Sequence, residues 1–168
     1  MKEQMRKKNR EIKNRKEVDE IIRDSQVCRL ALSVDDMPYL VPLSFGYDGA
    51  AIYIHTALEG KKIDYFELNP RVCFEFERNL KLVKNADKAC KWTFWYECVI
   101  GYGTIFELIE LEEKEYGLNR IMDQYSGKQW EFDEGHLELT RVWKILISSM
   151  TGKRLNKGFE GSRIQGFE

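Results

Sequence analysis

The chain has no close pair of cysteines. Cys28, Cys73, Cys90 and Cys98 are its only four, and none forms a C-x-x-C unit, so buried thiols are expected in place of a disulfide framework or a metal knot. Histidine is scarce too, with only His55 and His136, and there is no H-E-x-x-H. A zinc-peptidase reading therefore fails. No strand leads into G-x-G-x-x-G and no G-x-x-x-x-G-K-[ST] occurs, which removes the dinucleotide fold and the P-loop. The two histidines leave a Ser-His-Asp arrangement open, but no nucleophile elbow marks one. No apolar run approaches the roughly 20 residues of a membrane span. Charge of one sign is missing as well: Lys+Arg is 27 and Asp+Glu is 28. Net charge thus gives no reason to expect nucleic acid or an anionic membrane as partner. The first residues are charged and lack an apolar core, so no secretory signal is read and a cytoplasmic location is expected.

What remains is an ordinary soluble composition, 43% hydrophobic and 33% charged over 168 residues. It suits one domain over 1–168, with a basic extension at 1–16 and a Gly-rich tail at 151–168. The extension reads as a solvated arm or as a contact for an anionic partner. Val18, Ile21 and Ile22 recur at helical spacing, predicting a helix from Lys16 to Asp24.

The chain is organised around residues 39–70. Leu40 to Phe45 is a mostly apolar extended run, and Asp48-Gly49 signals a hairpin into Ala51–His55. Pro42 has no N–H to donate, so its strand belongs at an edge or a bulge. Gly60-Lys61-Lys62 opens a short helix bearing Ile63 and Phe66, which Asn69-Pro70 stops. Lys61, Lys62, Thr56 and His55 thus gather near a helix N-terminus, where phosphate binds well. The neighbouring apolar edge can take a flat ring. Strands are expected at Val27–Val34, turned into the central stretch by Asp35-Asp36-Met37-Pro38, and at Arg71–Glu77, with 78–91 as the longest loop. Trp92–Glu107 is the longest β-like run, and its Gly101 and Gly103 predict a bulge or a close backbone approach. Glu110–Tyr125 reads as a helix stopped by Gly127, then 126–136 as a loop and Leu137–Ile147 as strand. About six strands and three helices without β-α alternation predict a mainly β, antiparallel barrel with accessory helices.

The ordered set VCRLAL, PYLVPLSFGYDG, IYIHTALEGKKID, NPRVCFEF, VIGYG and MTGKR resembles the pyridoxamine 5'-phosphate oxidase-related, FMN-binding split-barrel proteins. The opening RKKNREIKNRKEVDEII is similar to their nitroimidazole-resistance (Nim-type) branch. The resemblance covers roughly residues 6–155. It implies a six-stranded antiparallel split β-barrel and a homodimer with FMN at the subunit interface. It further implies that Val41, Pro42, Leu43 and Ser44 line the flavin ring and ribityl chain. His55 and Thr56 would stand at the phosphate end, and Lys61 and Lys62 would take the phosphate. Cys98 falls where the parent oxidases carry a glutamine near the ring. The substrate-binding arginine and histidine of those oxidases have no counterpart near the C-terminus, so pyridoxamine phosphate is not the expected substrate.

The residues read by themselves agree with that expectation. FMN needs positive charge and N–H donors at one end and a dry, flat slot at the other. Trp92, Trp95, Tyr96 and Trp143 are candidates to pack on the ring. A Lys-Lys pair also reads as a solvated face, and a Trp/Tyr cluster as core. Three functions fit: an FMN-dependent oxidoreductase acting on small nitroaromatic or quinone-like acceptors, a flavin-binding module without turnover, and a split-barrel protein holding haem or a deazaflavin. Haem would need His55 or His136 as axial ligand. No catalytic side chain is assigned, although His55 is the one nearby group that titrates near neutrality.

Overall fold

A computed structural model describes residues 5–156. Residues 1–4 of the basic extension and 157–168 of the tail lie outside the described residues. The chain divides into two compact units. The larger comprises residues 26–75 and 100–150, the smaller the described parts of 1–25, 76–99 and 151–168.

The elements run β1 (Glu11–Ile12), α1 (Arg15–Asp24), β2 (Cys28–Val34), β3 (Met37–Leu43), β4 (Gly46–Tyr47), β5 (Ala51–Thr56), α2 (Lys61–Leu68), β6 (Arg71–Val83), β7 (Thr93–Leu108), α3 (Leu111–Ser126), α4 (Glu134–Glu138) and β8 (Arg141–Leu155). Strand order is β3-β2-β6-β7-β8-β5-β4, with β1 on β8. The mainly β class with accessory helices is as expected. Eight strands replace six, because the two-residue β1 and β4 add to six longer ones.

In the smaller unit, Asn14 caps α1 by accepting the Lys16 N–H. Val18, Ile21 and Ile22 bury the helix face that the sequence predicts. β1 pairs with the end of β8 through Glu11 opposite Lys153 and Ile12 opposite Gly152. The expected tail is therefore strand as far as Leu155. Gly152 is required at that pairing, since a Cβ would stand 2.9 Å from Val18. The loop expected at 78–91 is shorter. β6 continues to Val83, because Glu97 of β7 accepts from Arg78 and Asn79 and ties the strands together.

In the larger unit, β2 and β3 form a hairpin whose two turn residues, Asp35 and Asp36, both have positive φ, 49° and 60°. This corrects the expected partner of the 40–45 run. β3 pairs with β2, while Asp48-Gly49 joins β4 to β5. Asp48 holds that second turn by accepting the Ala50 and Ala51 N–H groups at 2.8 and 2.7 Å. The edge position expected for the Pro42 strand is what β3 has. The loop expected at 126–136 ends in α4, capped by Asp133, and β8 begins only at Arg141. The core gathers Leu30, Phe45, Ile52, Ile54, Phe74 and Ile145, all essentially inaccessible. All four cysteines are free thiols, but only Cys28 is buried. Cys90 is exposed and Cys73 and Cys98 are half-buried, which corrects the expectation of four buried thiols.

Candidate functional site: a helix start beside an edge strand

β5 ends at Thr56, and four residues later Gly60 starts α2 with φ 146°. Among the described residues, nothing beyond its chain neighbours lies within 4 Å of where a Gly60 Cβ would stand, and no side chain caps the helix. The N–H groups of Ile63 and Asp64 turn back to the Gly60 carbonyl. Those of Lys61 and Lys62 find no acceptor among the described residues, so the helix offers donors and the positive end of its dipole. Lys61 and Lys62 make no ion pair among the described residues, in a unit where Arg29 and Arg141 are each paired with carboxylates. The Lys61 ammonium lies 4.9 Å from the Tyr39 ring centre and 5.7 Å from that of Tyr65, and the two rings are 5.2 Å apart. Tyr39 stands on β3, so the helix start and the edge strand are neighbours.

His55 is exposed at the end of β5. Partial desolvation, joined by the Lys62 charge, holds its imidazole below the usual histidine range. The Thr56 hydroxyl is committed inward. It donates to the Ala57 carbonyl at 2.8 Å and accepts from Trp143 Nε1 at 3.0 Å. A hydroxyl has one proton, so a phosphate contact donated by this group would replace its bond to the Ala57 carbonyl. Trp143 is 3% exposed, with the Arg141 guanidinium 4.6 Å from its ring and Phe66 4.9 Å away edge-on. The direct ring contact expected of Trp143 gives way to support from behind Thr56.

Along β3, half-buried Tyr39, Val41 and Leu43 alternate with exposed Leu40 and Pro42, and exposed Ser44 follows. From Tyr39 to Ser44 the strand extends about 17 Å at roughly 3.3 Å per residue. Its far end is pinned, as the Phe45 N–H donates to the Tyr125 hydroxyl and that hydroxyl donates to the Gln26 carbonyl. The larger unit thus brings Val41, Pro42, Leu43, Ser44, His55, Thr56, Lys61 and Lys62 onto one edge strand, one strand end and one helix start.

Cys98 belongs to the smaller unit, half-buried on β7 beside Glu97. Trp92, Trp95 and Tyr96 lie there too, engaged by Lys84 at 6.0 Å, Lys81 at 5.2 Å and Lys153 at 5.9 Å. His136, exposed on α4, has its Nδ1 2.5 Å from Oδ2 of the capping Asp133. Among the described residues no cluster of His, Cys, Asp and Glu could hold a metal ion. A cavity of about 200 Å³ in the larger unit is lined by Tyr53, Leu108, Glu112, Glu113, Tyr116 and Lys144. None of the expected site residues lines it, and its two carboxylates would repel an anion.

Sequence reasoning missed Tyr39, Tyr65, Arg141, Glu67 and Glu107. Tyr39 was within reach, since it sits at a half-buried position of the edge strand. The other contacts depend on long-range pairing.

Two lysines with no carboxylate partner among the described residues and an uncapped helix start fit a phosphate, and the edge strand β3 fits the polar rim of a flat ring. The donor set therefore fits a phosphate-bearing flavin. The antiparallel sheet with its accessory helices is of the split-barrel class. The chain belongs to the pyridoxamine 5'-phosphate oxidase family, whose model matches residues 14–154. A protein of Bacteroides thetaiotaomicron provisionally assigned to 5-nitroimidazole antibiotic resistance has a similar structure, with TM-score 0.77 and 28% identity over 86% of each chain. The flavocytochrome Anf3 of Azotobacter vinelandii shares the fold at TM-score 0.77 and 16% identity, over 97% of this chain and 79% of that one. An FAD and heme binding protein of Mycobacterium smegmatis shares it at TM-score 0.76 and 16% identity, over 94% and 81%. An uncharacterized protein of Rhizobium meliloti is 31% identical over 64 residues, 38% of this chain and 42% of that relative's length. Among the described residues, no helix is long and apolar enough to cross a membrane.

Proposed function

We propose that this protein binds FMN and serves as an FMN-dependent oxidoreductase for small nitroaromatic or quinone-like acceptors. The observation that carries this reading is the Lys61-Lys62 pair, with no carboxylate partner among the described residues, at the uncapped start of α2, beside the edge strand β3, in a member of this family. The phosphate sits on the lysines and the first N–H groups of α2. The ring lies along Val41, Pro42, Leu43 and Ser44, where an edge strand supplies N–H and C=O groups. Bound FMN supplies the electron transfer that no protein side chain can. The chain's part is to hold the flavin, keep one ring face accessible and seat a flat acceptor against it. Pro42 and Ser44 leave that face small and weakly polar, which favours an uncharged acceptor over pyridoxamine phosphate. Reduction of a nitro group to nitroso takes two electrons and two protons and releases one water, so a reductant must reload the flavin.

We further propose that the protein works in the cytoplasm as a homodimer with FMN at the subunit interface. The 5-nitroimidazole resistance assignment of the Bacteroides protein supports the acceptor class.

Each charge-assisted phosphate contact is worth roughly 1.5–3 kcal/mol. Changing Lys61 and Lys62 together to Ala should therefore weaken FMN by about two orders of magnitude or more, read by fluorescence titration. Unchanged affinity would move the phosphate elsewhere. For the activity, the flavoprotein is reduced anaerobically and mixed with a nitroimidazole, a quinone or pyridoxamine phosphate. Reoxidation by the first two faster than for free FMN is expected. Rapid oxygen-dependent turnover of pyridoxamine phosphate would reverse the assignment.

A further inference from the structure

Arg141 is the first residue of β8 and stands directly opposite Thr56 in the β5–β8 ladder. Its guanidinium reaches three separate segments. Nε donates to Glu107 Oε1 at 2.8 Å and Nη2 to Glu107 Oε2 at 2.5 Å, a two-pronged grip on β7. Nη2 also donates to Glu67 Oε1 near the end of α2 at 2.8 Å. Nη1 points at the Leu58 carbonyl, in the loop that leads into α2, at 3.5 Å. The flat face of the group covers Trp143, whose indole N–H donates to the Thr56 hydroxyl.

Every element that shapes the α2 start is tied to this side chain. The loop before the helix is held through Leu58, the helix through Glu67, and the end of β5 through Trp143 and Thr56. Two carboxylates neutralise the guanidinium and occupy three of its five donors. Arg141 therefore has little charge left to offer an anion, in contrast to Lys61 and Lys62. Only a planar, forked group can meet two carboxylates and a carbonyl while stacking on an indole. A lysine would keep the charge and lose the geometry.

We infer that Arg141 is a positioning residue that sets the preference of the site for a phosphorylated flavin. It holds the loop at 57–60 and the axis of α2 so that Lys61, Lys62 and the first helical N–H groups converge on one phosphate. The inference rests on the phosphate site proposed above. Its hydrogen bonds and its ring contact go to Glu107, Glu67, Leu58 and Trp143, and not to the β3 residues proposed to take the ring. Its loss should consequently be felt by the phosphate and not by the ring.

The test compares FMN with riboflavin, which has the same ring and no phosphate, by fluorescence titration of the intact protein. Wild type should prefer FMN by a factor of ten or more. Arg141→Lys should lose most of that preference through weaker FMN binding, with riboflavin affinity changed less than about twofold. Glu67→Gln disturbs only one contact, at a partly exposed carboxylate, and should show a smaller loss in the same direction. It also keeps the test open if Arg141→Lys folds poorly. A full FMN preference retained by both variants would overturn the positioning role, as would an equal loss of both ligands, which a merely structural role produces. If wild type shows no preference for FMN, the phosphate site itself fails and the role of Arg141 falls with it.

Discussion

His55 and Lys62 form the most informative pair of single residues. The imidazole titrates below its ordinary value of 6.5, through desolvation first and the Lys62 charge second. The unfolded chain therefore binds the proton more readily than the folded one. Stability carried by neutral His55 is fully present above about pH 6.5 and is lost as pH falls through the depressed folded value. Lys62→Ala removes the repulsion, so the His55 titration followed by NMR should move upward. Saturating FMN should also move it upward in the wild type, because a phosphate on Lys62 cancels the same charge. A His55 titration unmoved by both changes would place Lys62 and the phosphate away from the imidazole. The lysines were legible in the sequence because Gly60 and Asn69-Pro70 bracket a short helix in one continuous stretch. The group that orders them was not. Trp143 lies 87 positions from Thr56, and Arg141 lies 74 from Glu67 and 34 from Glu107. Such contacts exist only once β5, β7 and β8 are side by side.

At the level of the element, the sequence identified strands and helices better than it identified their partners. Proline's missing donor places the Pro42 strand at an edge or a bulge, and β3 is an edge. Its partner differs from the expected one because Asp48-Gly49 is the conspicuous hairpin signal, whereas the turn expected at residues 35–38 is itself the hairpin, with Asp35 and Asp36 both at positive φ. Aspartate tolerates that conformation, so the pair marks a turn without marking the tight pairing of the strands on either side. The start of β8 was misplaced because Leu137 is apolar and buried, yet it belongs to the one-turn helix that Asp133 caps. Of the bulge or close approach expected at the β7 glycines, the structure has the close approach. A Cβ on Gly101 would stand 2.2 Å from the Phe74 ring and 2.7 Å from the Ser149 carbonyl oxygen. Gly101→Ala should therefore cost about 1–3 kcal/mol, seen as a lower midpoint in urea with an unchanged slope. A midpoint equal to wild type would mean that β7 does not approach its neighbours this closely.

For the whole molecule, the decisive question is whether one chain suffices to hold the flavin. The outward face of the larger unit carries Ile100, Tyr102 and Phe106 on β7 and Leu146 on the adjacent β8, with 42–54% of each residue accessible. The residues between them on β7, Gly101, Gly103 and Ile105, face inward and are buried. Four large apolar side chains are thus half-exposed on two neighbouring strands, and apolar surface of this kind, where it is extensive, marks interaction sites. A second copy of this chain is the partner the family reading proposes, and a stable pair should bury more than about 1,200 Å². Two consequences can be measured on one variant. Tyr102→Glu with Leu146→Glu places charge on this surface at positions already half in water, so the single chain should keep its thermal midpoint. Sedimentation velocity should then show a shift from dimer to monomer. FMN affinity should fall about tenfold or more, because a site completed by the partner loses part of its lining. A double variant that stays dimeric would move the interface to another face. A monomeric wild type that retains one FMN per chain would end the dimer proposal and leave β3 and α2 of a single chain as the whole site.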